Sequence, residues 1–406
     1  MPRSPLSCAA SILALASLMG CAAAQRADNI EPVSRGTAYQ AQYRAMERGS
    51  DSYLISARMN AEGCLPFAGS AAGDDSGKLG QVLPSSLRGE LLSRGDLLDL
   101  RVADDDTFTG QFVVSRDGFL KLPFIGAIPA QGRSPDAVAG DIEAALVRGG
   151  FYEFAPNVSL LTMDFAAAQV SVSGAVFEPR PVDIGGVPGD RVDDRRQGAL
   201  GSSTEGRNLS VALRNAGGVR PDADLSAVQL IRAGTNYRLD LRGAVDGTGF
   251  DDVMLLTGDR IVVPSRQCFQ DDLMKPSPIS PAGISLYLSN LTQPATGNAP
   301  SAIGQTVREV PYGTRYMQAV VDSNCVGGAR ATSAARSAAL FTRNPASGVS
   351  AVVERRVEEM RARQDRDDYD PYLLPGDAIA CYDSNITNLG EIGRVIGLAA
   401  GITLLR

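Results

Sequence analysis

LLPGDAIACYD (373–383) nearly repeats LLTGDRIVVPS (255–265), and LLSRGDLLDLRV (91–102) is a looser version of the same phrase. In each, a Gly-Asp turn follows two leucines and leads into a strand-like run. In the third, Leu98, Leu100 and Val102 alternate with Asp99 and Arg101, as on a half-buried strand. Upstream segments repeat as well. NLSVALRNAGGV precedes the 255 phrase and YMQAVVDSNCVGGA precedes the 373 phrase, which sets Gly327-Gly328 against Gly217-Gly218. VQLIRAGTN and SAALFTRNP follow in the same order. The phrase therefore reads as the closing strand of a repeated unit whose second copy covers 302–383.

Composition limits what such a chain can do. It has 406 residues, enough for several domains, and a formal net charge of -7, which argues against a nucleic-acid partner. Forty-three glycines and 23 prolines against few aromatics suit strands and turns. There is no histidine, so histidine-dependent triads and imidazole zinc sites are excluded. No phosphate loop of recognised spacing is present, and neither a cofactor nor a metal is expected.

Working outward, residues 22–85 show little periodicity and read as an arm plus linker. GQFVVSRDGFLKLPFIG reads as two strands around Asp117-Gly118. SPDAVAGDIEAALVRGG reads as a helix, with Ser134 as cap, Pro135 in the first turn and Val138, Ile142 and Leu146 on one face. APNVSLLTM and QVSVSGAVFEP read as further strands.

The order strand, G-x-F-x-V-x-x-D-G-x-x-x-L-P, helix, P-N-V, then V-x-V-x-G-x-V resembles the polysaccharide biosynthesis/export domain of outer-membrane polysaccharide export lipoproteins, over 86–168. The following segment resembles the soluble-ligand-binding β-grasp domain of the same family. It departs at Pro179-Arg180, where the family usually has Pro-Gly, and at 186–207, which look like an inserted charged loop. The expected fold class is α+β: an export domain, two β-grasp-like repeats and a C-terminal amphipathic helix. The expected divisions are a signal peptide at 1–20, an arm and linker at 21–85, the export domain at 86–168, a first β-grasp unit at 169–268, a linker at 269–301, a second unit at 302–383 and the helix at 384–406.

Both ends of the chain speak of membranes. LSCAASILALASLMG has the short apolar core of a targeting segment. Leu18-Met19-Gly20-Cys21 resembles a lipobox, which makes Cys21 the acylation site and, with Ala22 after it, implies sorting to the outer membrane. Cys8 leaves with the signal, and Cys64, Cys268, Cys325 and Cys381 remain for two disulfides with three possible pairings. Cys325 and Cys381 fall in one repeat and are expected to pair, which joins Cys64 to Cys268. In SNITNLGEIGRVIGLAAGITLLR, helical spacing puts Thr387, Glu391 and Arg394 on one face, while Gly393, Gly397 and Gly401 recur every fourth residue. Nineteen residues at 1.5 Å each reach about 28 Å, near the thickness of a hydrocarbon layer. The competing reading packs this helix on the second unit.

The resemblance implies a homo-oligomeric ring, of eight subunits in the best-known member, that conducts a capsular polysaccharide or exopolysaccharide. It further implies an inner-membrane polysaccharide co-polymerase of the tyrosine-kinase type as partner, outer-membrane lipid around the anchor, and a mostly periplasmic body. No enzymatic activity is expected. A periplasmic glycan-binding lipoprotein without a pore is the alternative. ADDDT (103–107) and QDRDDYDPY (364–372) are carboxylate clusters open to calcium or acid/base readings, but they read most simply as solvated loops. RVEEMRARQDRDD reads as an exposed, salt-bridged helix end.

Overall fold

The computed structural model describes residues 27–46, 54–69, 83–185, 205–290, 306–323, 325–326 and 336–382. Among the described residues, one three-stranded and two five-stranded sheets, each with its own apolar core, follow one another along the chain, and a two-stranded ribbon accompanies the first.

The first sheet, in the order β2-β1-β5, contains β1 (Leu97–Val102), β2 (Asp105–Val113) and β5 (Val158–Asp164). Leu98, Leu100, Val102 and Leu160 point inward against the helix Pro135–Arg148, which offers Val138, Ile142 and Leu146. The Ser134 hydroxyl accepts from the Ala137 N–H at 3.3 Å and caps that helix. Around Asp117-Gly118 the sequence reading is only partly met. β3 (Phe119–Leu122) touches the preceding strand through a Val114–Leu120 bridge, and its main partner is β4 (Gly126–Pro129).

The second and third sheets are copies of one topology. β7-β6-β10-β8-β9 comprises β6 (Ala168–Gly174), β7 (Arg180–Ile184), β8 (Val228–Arg232), β9 (Thr235–Leu239) and β10 (Arg260–Val263). β12-β11-β15-β13-β14 comprises β11 (Ile284–Asn290), β12 (Thr306–Val310), β13 (Ser337–Arg343), β14 (Ser350–Arg356) and β15 (Ala378–Tyr382). In each, the closing strand lies at the centre, parallel to the opening strand and antiparallel to the hairpin. One seven-residue helix, Leu209–Asn215 or Tyr316–Asp322, packs against each.

Three expectations are corrected. The second unit starts before 302: β11 lies inside the stretch read as a linker, and Phe269 and Met274 of that stretch belong to the second core. Ile284, Leu286 and Leu288 alternate with exposed residues, a period of two hidden among prolines and serines. The double-glycine alignment also shifts. The Gly218 N–H donates to Leu213 and the Cys325 N–H to Val320 at the same helix end, so Cys325 occupies the position of Gly218. Gly327 and Gly328 lie outside the described residues. Finally, the arm is no linker. Tyr39 donates to Asp222 of the first unit at 2.9 Å, Gln40 donates to the Tyr372 carbonyl of the second at 2.8 Å, and Tyr43 lies in the second core. The helix Ile55–Glu62 continues this strap.

Candidate functional site

The repeated phrase is one turn used three times. Its aspartate accepts the N–H three residues before it: Ser93 to Asp96 at 2.7 Å, Leu256 to Asp259 at 2.8 Å and Leu374 to Asp377 at 2.9 Å. The preceding residue takes φ of 90°, 97° and 86° in Gly95, Gly258 and Gly376, a conformation that a Cβ disfavours. All three aspartates are buried.

Two of these turns face each other and join the export domain to the first unit. The Thr257 N–H donates to the Ser93 hydroxyl at 3.1 Å, while Arg94 and Gln131 donate to the Thr257 carbonyl at 3.3 and 3.1 Å. Arg207 reaches across with a 2.8 Å bond to Asp96, both side chains being almost fully buried. Burial pushes the Asp96 carboxyl up and the Arg207 guanidinium down, but N–H groups from Ser93 and Ala166 also converge on that carboxylate. Such a pair is costly to break, because removing one partner strands the other's charge in the interior. Arg207 closes the stretch read as an inserted charged loop, most of which lies outside the described residues. Its partner is 111 residues away, so no local signal marks it.

The second carboxylate cluster is solvated only at Asp367, while Asp365 and Asp368 are buried and Asp370 half-buried, which corrects the sequence reading. Asp365 holds Arg363 in two bonds of 2.8 and 2.6 Å. Asp368 accepts the Ser56 N–H of the strap at 2.7 Å, and Asp370 accepts the Met317 N–H at 2.8 Å. Burial raises the Asp370 carboxyl to about 6. Arg363 and Arg355 lie on Tyr369, each guanidinium 4.1 Å from the ring centroid. Arg355 also donates to the carbonyls of Tyr43 and Arg44 at 2.8 and 2.9 Å. The helix expected to be exposed thus buries Val357 and Met360, and the cluster clasps the strap. At the first cluster, Asp105 accepts from the Thr107 N–H and from the Tyr152 hydroxyl, and these bonds hold its carboxyl below the usual range. No grouping of three or more metal-ligating side chains occurs among the described residues.

The structure brings Cys64 to Cys268 and Cys325 to Cys381, with Cα atoms 4.7 and 6.0 Å apart. One bond staples the strap to the end of the first unit. The other ties β15 to the helix end within the second unit. Cys21, Thr387, Glu391, Gly393, Arg394, Gly397 and Gly401 lie outside the described residues. Among the described residues no helix is long and apolar enough to cross a membrane.

Comparison with known proteins bears on the segment that holds the first sheet and its helix. Residues 86–161 match the family described as polysaccharide biosynthesis/export protein. Two relatives bear the name EPS I polysaccharide export outer membrane protein EpsA. The one from Ralstonia nicotianae (strain ATCC BAA-1114 / GMI1000) is 25% identical over 215 residues, covering 51% of each chain. The one from Ralstonia solanacearum is 26% identical over 196 residues, covering 47% of this chain and 46% of the relative. The chain thus spans about half the length of the curated relatives it matches. The resemblance to polysaccharide export proteins read from residues 86–168 is borne out.

Proposed function

We propose that this chain, which carries a polysaccharide export domain, is an outer-membrane lipoprotein that assembles into a ring and conducts a capsular polysaccharide or exopolysaccharide out of the periplasm. The observation that carries the reading is the export domain at 86–161, fixed to the first of two repeated five-stranded units through the buried Asp96–Arg207 bond. A conduit needs stacked, stiff layers and no chemistry. Of the carboxylates that invite a catalytic reading, Asp365, Asp368 and Asp370 are engaged in holding chain segments together, and Asp367 is exposed beside Arg315.

In this reading the acylated Cys21 fixes the ring to the inner leaflet of the outer membrane. The helices 384–406 close a cylinder that turns Glu391 and Arg394 to the lumen or to each other, and a co-polymerase in the inner membrane delivers the polymer. Several acyl chains on one cysteine, at about 0.8 kcal/mol per buried CH₂, give a firm anchor.

Deleting the gene from its host tests this. Polymer is expected to vanish from the cell surface and accumulate in the periplasm, with full-length protein restoring export and Cys21→Ser or a chain ending at 383 failing to do so. Unchanged surface polymer in the deletion strain overturns the reading. Export restored by the chain ending at 383 favours a glycan-binding lipoprotein without its own pore.

A further inference from the structure

The two repeated units coincide in topology and differ on the sheet face turned away from the core. One row crosses the whole second sheet: Val307 is paired with Tyr287, Tyr287 with Ala378, Ala378 with Phe341, and Phe341 with Val352. Their neighbours Leu286, Leu288, Leu340, Val353 and Ile379 point into the core, so this row faces outward. Val307, Tyr287 and Phe341 are 64, 54 and 41% exposed. The same row in the first sheet runs Pro181, Ser171, Arg260, Ile231 and Asn236. Register therefore matches a tyrosine to a serine, a phenylalanine to an isoleucine and an alanine to an arginine.

Single exposed apolar side chains are ordinary, but a continuous row over five strands, about 19 Å at the usual strand spacing, is a patch that calls for a cover. We propose that this face is where a second copy of the chain packs. The proposal rests on the oligomeric ring of the preceding reading and names its contact. Charge on the rim argues for a neighbouring copy over lipid. On the same face, Glu309 stands on β12 at one end of the row, while Arg343 and Arg356 stand with Glu354 on β13 and β14 at the other. The two ends thus carry opposite balances of charge, each of which a neighbouring protein surface can meet with the opposite sign. Glutamates on both sides of the row would lose water without a partner against an apolar layer. Strand addition is also blocked on the β14 side, where the Asn29 side chain pairs with both backbone groups of Val352, at 3.2 and 2.8 Å.

The test is the size of the full-length acylated protein extracted in mild detergent, measured by light scattering across a dilution series. Wild type is expected to be oligomeric. The double variant Tyr287→Asp/Phe341→Asp is expected to dissociate at concentrations at least tenfold higher, and Tyr287→Ser/Phe341→Ser to do so to a smaller degree. Ser171→Asp, at the matching position of the first unit, is expected to leave the size unchanged. At dilutions where all are dissociated, thermal melting of the variants should stay near that of wild type, since every altered side chain is exposed. A double variant that keeps the wild-type size overturns the assigned face and leaves the ring reading standing. A monomeric wild type overturns both. If the aspartates instead abolish binding of Cys21→Ser protein to phosphatidylethanolamine/phosphatidylglycerol vesicles with oligomer size unaltered, the face belongs to lipid and the proposal fails.

Discussion

The two five-stranded units solve one problem differently: what to do with the buried aspartate that closes each sheet. In the first, Arg232 at the end of β8 pairs with Asp259 at 2.6 Å. In the second, register puts Thr342 at the position of Arg232, and Thr314 at that of Arg207. Asp377 thus faces a hydroxyl where its counterpart faces a guanidinium, and burial raises its carboxyl to about 7. A shorter side chain leaves room, and the strap fills it. The Tyr43 hydroxyl stands 3.3 Å from the Thr342 hydroxyl, and Gln40 donates to Tyr43 at 3.1 Å. The repeat keeps the backbone turn and exchanges the side chain's partner, an ion pair in one copy and an inserted tyrosine in the other.

The largest expected effect comes from the staple that lets the strap reach that room. Converting Cys64 and Cys268 to serine frees a loop of 204 residues, for which the chain-entropy model gives a loss of about 5 kcal/mol. Urea unfolding should show it, with protection of the Tyr43 amide falling first. Arg232→Thr makes the first unit imitate the second without a strap to fill the gap. It is expected to cost about 3–5 kcal/mol, because Asp259 remains buried without its cation. A cost near zero in chemical denaturation would show that the exchange of partners is neutral.

Asp377 sharpens the comparison by pH. Its folded value, about 7, lies above the ordinary carboxylate value of 3.8, so the folded state holds a proton that the unfolded chain has released. The stabilisation is complete below about pH 4 and is lost as pH rises through 7, up to about 4 kcal/mol in all. Calorimetry from pH 4 to 8 should show the second unit melting at progressively lower temperature, and Asp377→Asn should flatten that slope. The smallest effect belongs to Tyr43→Phe, which removes one buried hydroxyl and its bonds to Thr342 and Gln40 and should cost about 1 kcal/mol in equilibrium unfolding.

Local chemistry was readable in the sequence and distant pairing was not. The Gly-Asp turns were legible because a residue in the left-handed region and a short carboxylate capping an N–H leave a fixed dipeptide in the chain. The helix Pro135–Arg148 was legible for the same kind of reason, its cap and apolar face lying within 15 residues of one another. The clasp was not: Asp368 meets Ser56 across 312 positions, and a run of carboxylates looks alike whether water or a strap surrounds it. β11 was hidden by its flanks, and the shifted alignment arose because a disulfide cysteine stands where the first unit has glycine.

The central place of the closing strand bears on how the chain acquires its shape. β10 and β15 each lie between the opening strand and the hairpin of their own unit, and both are the last strands of that unit to be made. A chain emerging from its N-terminus can therefore form the outer hairpins early, but it cannot zip either sheet until the final Gly-Asp turn has appeared. Each sheet therefore stays in two halves until its own last strand has been made, and that strand alone joins them.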